Sequence, residues 1–181
     1  FDILATSAAD VPLRQRSLRA VFDQVWVLLS GTEQRALARL AVFRGNFDRT
    51  AGEAVAGASL PILASLTDKS LLSRVAVGDN DTEAQYSLHA VLRQYALQHL
   101  SDFSGEPDTT INRHGHYFMD FITQQTAAFP RAQQQSAIAQ VALHIEDIRM
   151  AWEWACKRHD VIALRQAWPG LFAFYASRGW L

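Results

Sequence analysis

Residues Leu66 to Leu100 read LTDKSLLSRVAVGDNDTEAQYSLHAVLRQYALQHL, and this stretch decides the fold. Its first residues end a helix. Leu71 to Val77 is rich in apolar and β-branched residues, the composition of a strand. Gly78, Asp79, Asn80 and Asp81 supply a turn, and Gln85 to Leu88 alternates like a second, shorter strand. From His89 to Leu100, the residues Val91, Leu92, Tyr95, Ala96 and Leu100 recur at helical spacing. Helix, two-stranded ribbon and helix form the closing half of a winged helix.

Upstream, Phe1 to Val11 reads as an extended lead-in closed by Pro12. Ser17 is placed to cap a helix with the stripe Leu18, Val21, Phe22, Val25, Trp26 and Leu29, ended by Ser30-Gly31. Thr32 is expected to cap the next helix, with Leu37, Leu40 and Ala41 facing inward and Gly45-Asn46 breaking it. Asp48 or Thr50 starts a short helix that Gly57 stops. Ser59 then caps a helix lined by Leu60, Leu63 and Leu66, with Pro61 in its first turn, where a missing N–H costs little.

Downstream, Ser101 to Pro107 (SDFSGEP) is a linker by composition. It divides the chain into a winged-helix domain with its lead-in, residues 1–103, and a helical domain, residues 108–181. The second part predicts helices over Asp108–Phe129, Gln133–Arg158 and Val161–Ser177, with Pro169-Gly170 placed to kink or split the last. Short connections imply antiparallel helices, and Trp152, Trp154, Trp168, Phe172 and Tyr175 suit the grooves between them, as at the start of a tetratricopeptide-like solenoid. No fixed-period repeat is visible. The expected fold class is therefore mainly α, a winged helix followed by a helical, solenoid-like domain.

The 181 residues are 49% hydrophobic and 19% charged, enough apolar content for a core and too little charge for a disordered chain. No apolar run reaches the length of a bilayer span, and a single cysteine, Cys156, fits a reducing, cytoplasmic setting and a small core position. The chain starts at Phe1 without methionine and stops just past a helical pattern, so it reads as a fragment of a longer protein.

Catalytic and cofactor patterns do not emerge. There is no GxxxxGK[ST] phosphate loop and no GxGxxG. His114 and His116 are two apart, so they do not share a helical face, and no further ligand pattern accompanies them; they read as a solvated helix start. Glu146 and Asp147 are adjacent and point to different sides. Glu106, Asp108 and the turn acids Asp79, Asp81 and Glu83 read as solvated charges. These residues support neither an enzyme nor a metal site.

A winged helix that reads DNA needs Arg, Lys, Asn or Gln on its recognition helix and cations for the phosphates. The corresponding segment, Leu60 to Ser70, is LPILASLTDKS, with Lys69 opposed by Asp68. The net charge is −1, and the ribbon sets Arg74 against three acids. The strongest basic cluster, Arg14, Arg16 and Arg19, suits a solvated helix entry or an interdomain contact. The electrostatics speak against direct nucleic-acid binding by this chain.

Residues 14–55 (RQRSLRAVFDQVWVLLSGTEQRALARLAVFRGNFDRTAGEAV), 63–74 (LASLTDKSLLSR) and 86–100 (YSLHAVLRQYALQHL) resemble the winged-helix region of signal-transduction ATPases with numerous domains, the STAND class, including the ATPases joined to LuxR-type or SARP-type transcription regulators. HYFMDFITQQ (116–125) and HIEDIRMAWEWACKRHD (144–160) resemble the helices that follow, leading into tetratricopeptide-like repeats. The resemblance implies a non-catalytic coupling module. Its partners would be an upstream domain that binds ADP or ATP and downstream repeats that sense an unknown ligand or protein. It also implies a role for His89. The family places a histidine of a Met-His-Asp-like motif at this helix start, where it touches the phosphates of ADP; here the motif is Leu88-His89-Ala90, with Ala90 in place of the aspartate. A helix start with orphan N–H groups is a natural anion site.

Overall fold

The computed structural model describes residues 13–75, 84–126 and 134–179. The lead-in, Pro12, the turn acids Asp79, Asp81 and Glu83, and Pro130 lie outside them.

Helix α1 (Leu13–Val27) starts four residues before Ser17, because Leu13 to Arg16 are all good helix formers. Phe22 and Trp26 pack against Tyr95, whose hydroxyl donates to Asp23 Oδ1 at 2.8 Å, while Val21 is exposed. Helix α2 (Gly31–Leu40) is capped by Ser30, not Thr32. Ser30 Oγ accepts from the Glu33 N–H, and the Glu33 carboxylate accepts from the Ser30 N–H at 2.8 Å. This capping box needs a glutamate three residues after the cap; Ser30 has one, whereas Arg35 follows Thr32 at that spacing.

Helix α3 (Arg49–Ala56) is capped by Asp48, which accepts from the Ala51 N–H, and is closed by Gly57 in the left-handed region at φ 66°, where a side chain would be strained. Helix α4 (Leu60–Asp68) buries Leu63 and Leu66 but leaves Leu60, expected inward, 47% exposed. Strand β1 (Ser73–Val75) pairs antiparallel with β2 (Gln85–Ser87), with Arg74 opposite Tyr86. Phe47 adds a bridge on the other side of Tyr86, with N–H···O bonds of 3.0 and 2.7 Å, so the ribbon is tied to the entry of α3. Helix α5 (Ala90–Leu100) follows, burying Leu92, Tyr95, Ala96 and Leu100. The result is a winged-helix-like unit built on Leu37, Leu40, Phe43, Phe47, Leu63 and Leu66.

Helix α6 (Glu106–Thr126) packs on α8 (Ile145–Lys157) and α9 (Val161–Ser177), with smaller contacts to α7 (Gln134–Leu143). It also packs on α2 and α3, so the first and second parts share an apolar core through Phe43 and Phe118, whose rings are 6.0 Å apart. The helix expected over Gln133–Arg158 is two helices broken at His144. There the backbone turns to φ −112°, ψ 13°, and the ring is buried against Phe118 and Phe121. Pro169 does not split α9. Cys156 is exposed rather than core, one position past the buried pair Trp154 and Ala155. Ile111, Ile162, Trp168 and Phe172 are also exposed, because α6 and α9 turn other residues inward. Among the described residues no helix is long and apolar enough to cross a membrane.

Candidate functional site

His89 links β2 to α5 and is the N-cap of that helix. Its Nδ1 accepts the Val91 N–H at 3.3 Å. A neutral imidazole that accepts on Nδ1 carries its proton on Nε2. The residue is exposed, so Nε2–H is a donor directed away from the local cap. No acidic residue occupies the first turn of α5. One turn on, Arg93 Nη1 donates to the carbonyls of Phe43 (3.4 Å) and Arg44 (2.9 Å), closing the end of α2 against α5. The helix start and the outward N–H suit an anion such as a phosphate oxygen.

The face that a DNA-reading winged helix would present is built differently. Leu60, Pro61, Ala64 and Asp68 are the exposed residues of α4. Lys69 does not face outward as a lone cation. It pairs with Glu33, which also accepts from Ser65 Oγ at 2.6 Å. Those bonds, chiefly the one from Lys69, hold the Glu33 carboxyl down at a pKa of about 2. Beside α4 lies a groove of about 560 Å³ lined by Arg49, Thr50, Glu53, Leu60, Arg74 and Tyr86. Arg49 is 4.0 Å from Glu53 on an exposed helix face, a weak pair, and Arg74 has no ion-pair partner among the described residues. Two arginines therefore flank a face whose other charges are the acids Glu53 and Asp68. Arg19 is exposed on α1, and the side chains of Arg14 and Arg16 lie outside the described residues.

A third cluster joins the two parts of the chain. Asp147, in the first turn of α8, is fully buried. It accepts from the backbone N–H groups of Arg44 (2.7 Å) and Gly45 (3.0 Å) and from His114 Nε2 (2.9 Å). His114 is thus a buried residue of mid-α6, not a solvated helix start, while His116 is exposed and edge-on to Trp154. Burial pushes the His144 imidazole below its ordinary pKa, against the opposing pull of Asp48 and Asp147. Glu106 is not simply a solvated charge either. It receives two bonds from Arg39 (2.7 and 2.6 Å), which lower its pKa. Sequence spacing could not find these groups, since the partners are 33 to 103 residues apart. Among the described residues no group of three or more His, Cys, Asp and Glu is placed to hold a metal ion.

No family model matches the chain, and no solved structure matches it. Curated relatives do. Proteins of Mycobacterium tuberculosis and Mycobacterium bovis named "Putative HTH-type transcriptional regulator" are 35% identical over 188 aligned residues. The match covers 100% of this chain and 21% of theirs. An uncharacterized protein of M. tuberculosis is 36% identical over 122 residues, covering 63% of this chain and 30% of its own length. Over its whole length the chain is therefore similar to one segment of proteins named as helix-turn-helix transcriptional regulators, and it spans about a fifth of their length.

Proposed function

We propose that this chain is a regulatory segment of a multidomain transcriptional regulator, in which the winged helix packs against neighbouring domains and couples them rather than reading DNA. The observation that carries this reading is the outward face of α4, which presents Leu60, Pro61, Ala64 and Asp68 while its lysine is drawn back to Glu33. Base readout needs hydrogen-bonding side chains there. The names of the relatives support a place in transcription control, and their greater length leaves room for a separate DNA-binding region. The resemblance to STAND ATPases supports a nucleotide-binding neighbour, with His89 as the residue that reports its phosphates. In this reading the segment itself has no catalytic role, and ADP or ATP belongs to the neighbour.

A second reading is that this winged helix binds DNA directly. The relatives' names favour it, and Arg49 and Arg74 beside α4 are the cations it would use. One pair of titrations separates the two readings. Duplex DNA added to the chain at low salt is expected to leave its mobility unchanged. ADP added to a longer form carrying the upstream region is expected to bind, with roughly tenfold or greater weakening by His89→Ala, the scale of one hydrogen bond to a charged group. A salt-sensitive DNA shift lost in an Arg49→Ala, Arg74→Ala double variant would establish the second reading. ADP binding that is indifferent to His89→Ala would remove the phosphate-reporting role.

A further inference from the structure

The face where α8 and α9 meet carries a feature that neither regulatory reading uses. Arg149, Trp152 and Glu153 from α8 and Trp168, Phe172 and Tyr175 from α9 line a groove of about 310 Å³, with Leu171 at its base. Small-molecule sites begin at about this size, roughly 300 Å³. Trp168 is 56% exposed and Phe172 48%, although α9 buries Leu171 and Phe174 on the same helix. Large aromatics held at a surface leave apolar area in water, and clustered exposure of this kind marks binding sites.

The rings form a trough. Trp152 and Trp168 have centroids 6.2 Å apart at 44°, and Trp168 and Phe172 are 6.0 Å apart at 39°. At that separation one cation can lie within about 6 Å of two centroids, the range over which a ring face attracts it. The structure already seats a cation on a ring of this groove: the Arg149 guanidinium lies 5.8 Å from the Tyr175 centroid.

The charges choose the sign of the ligand. Arg149 is occupied, with Nε donating to the Tyr175 hydroxyl at 3.0 Å and Nη1 to Glu146 at 2.8 Å. Glu153, on the rim, has no ion-pair partner among the described residues. Glu146, outside the groove, offsets the Arg149 charge, which leaves Glu153 as the uncompensated charge among the lining residues. We propose that this groove binds an organic ammonium cation with an apolar or aromatic body, the ammonium lying over Trp152 and Trp168 near Glu153. The proposal is independent of the transcriptional reading.

Benzyltrimethylammonium is the probe, titrated into the chain by calorimetry or tryptophan fluorescence, with benzyl alcohol and benzoate as neutral and anionic controls. The cation should bind about tenfold more tightly than either control, the scale of a partly desolvated cation–π contact. Trp168→Ala should abolish that preference, and Glu153→Gln should reduce it about threefold or more. Both residues are exposed, so both variants should unfold at the temperature of the parent chain. Equal binding of the neutral control, preference for benzoate, or no binding of any probe overturns the proposal. So does concentration-dependent self-association lost in Trp168→Ala, which would make the groove an interface between copies of the chain.

Discussion

At Gly115 an added Cβ would lie 2.3 Å from Cδ2 of Trp154 and 2.5 Å from Cε3. The indole is not free to swing away. It is 8% exposed, and its Nε1 donates to Asn112 Oδ1 at 3.0 Å. The glycine between His114 and His116 is therefore what lets α6 approach α8 at this level, and the histidines on either side do unrelated work. One is buried on Asp147, and the other lies edge-on to Trp154. Gly115→Ala is expected to destabilise the fold by about 1–3 kcal/mol, the usual cost of overpacking a core, measured as a loss of urea midpoint. A smaller indole substitute, Trp154→Phe, should recover part of that loss in the double variant; additive effects would show that the two residues do not meet.

Glu33 ties one element to another. It closes the capping box of α2 and also holds Ser65 and Lys69 at the end of α4. Its folded pKa of about 2 lies below the ordinary value of 4.5. The folded state therefore prefers the ionised carboxyl. Its contribution is complete above pH 4.5 and is lost as acid takes the pH down toward 2, because the unfolded chain binds the proton first. Glu33→Gln is expected to cost about 1–2 kcal/mol at neutral pH, the scale of a helix cap with a partly exposed ion pair. It should also flatten the stability profile between pH 4.5 and about 2, read by denaturant titration at stepped pH. A variant with an unchanged acid limb would show that other carboxyls govern it. Burial at the break between α7 and α8 gives His144 the same sign at higher pH: its neutral form is favoured on folding, so acidification below 6.5 works against the native state.

Across the whole molecule, Asp147 and Glu106 hold the winged-helix part to the helical part. The Asp147 carboxylate, itself fully buried, satisfies three donors: the buried His114 ring and two backbone N–H groups just past the end of α2. Removing it leaves those donors without partners, and each unpaired buried group costs about 1–3 kcal/mol. Asp147→Ala is expected to destabilise by on the order of 3 kcal/mol and to expose the amides of Arg44 and Gly45 to hydrogen exchange. Preserved protection at those two amides would show that the junction is held by apolar packing alone.

Local rules placed much of this protein. Asp48 and Gly57 bracket α3, the ribbon lies between Leu71 and Leu88, and His89 opens α5, because caps, turns and strand patterns depend on residues within about four positions of each other. Some local details still slipped, such as the α2 cap at Ser30 and the break at His144, but the larger misreadings are of another kind. Cys156, Leu60, Trp168 and Phe172 are apolar residues on helices, and composition alone does not say which side of a helix finds a partner. His114, Asp147, Arg39 and Glu106 are polar residues whose surroundings come from distant chain. The amino-acid sequence by itself determined the order of helices and ribbon as far as α6 and the scarcity of cations on α4. Tertiary packing decided which charges are buried and which aromatics meet water, because burial is a property of faces brought together across tens of residues.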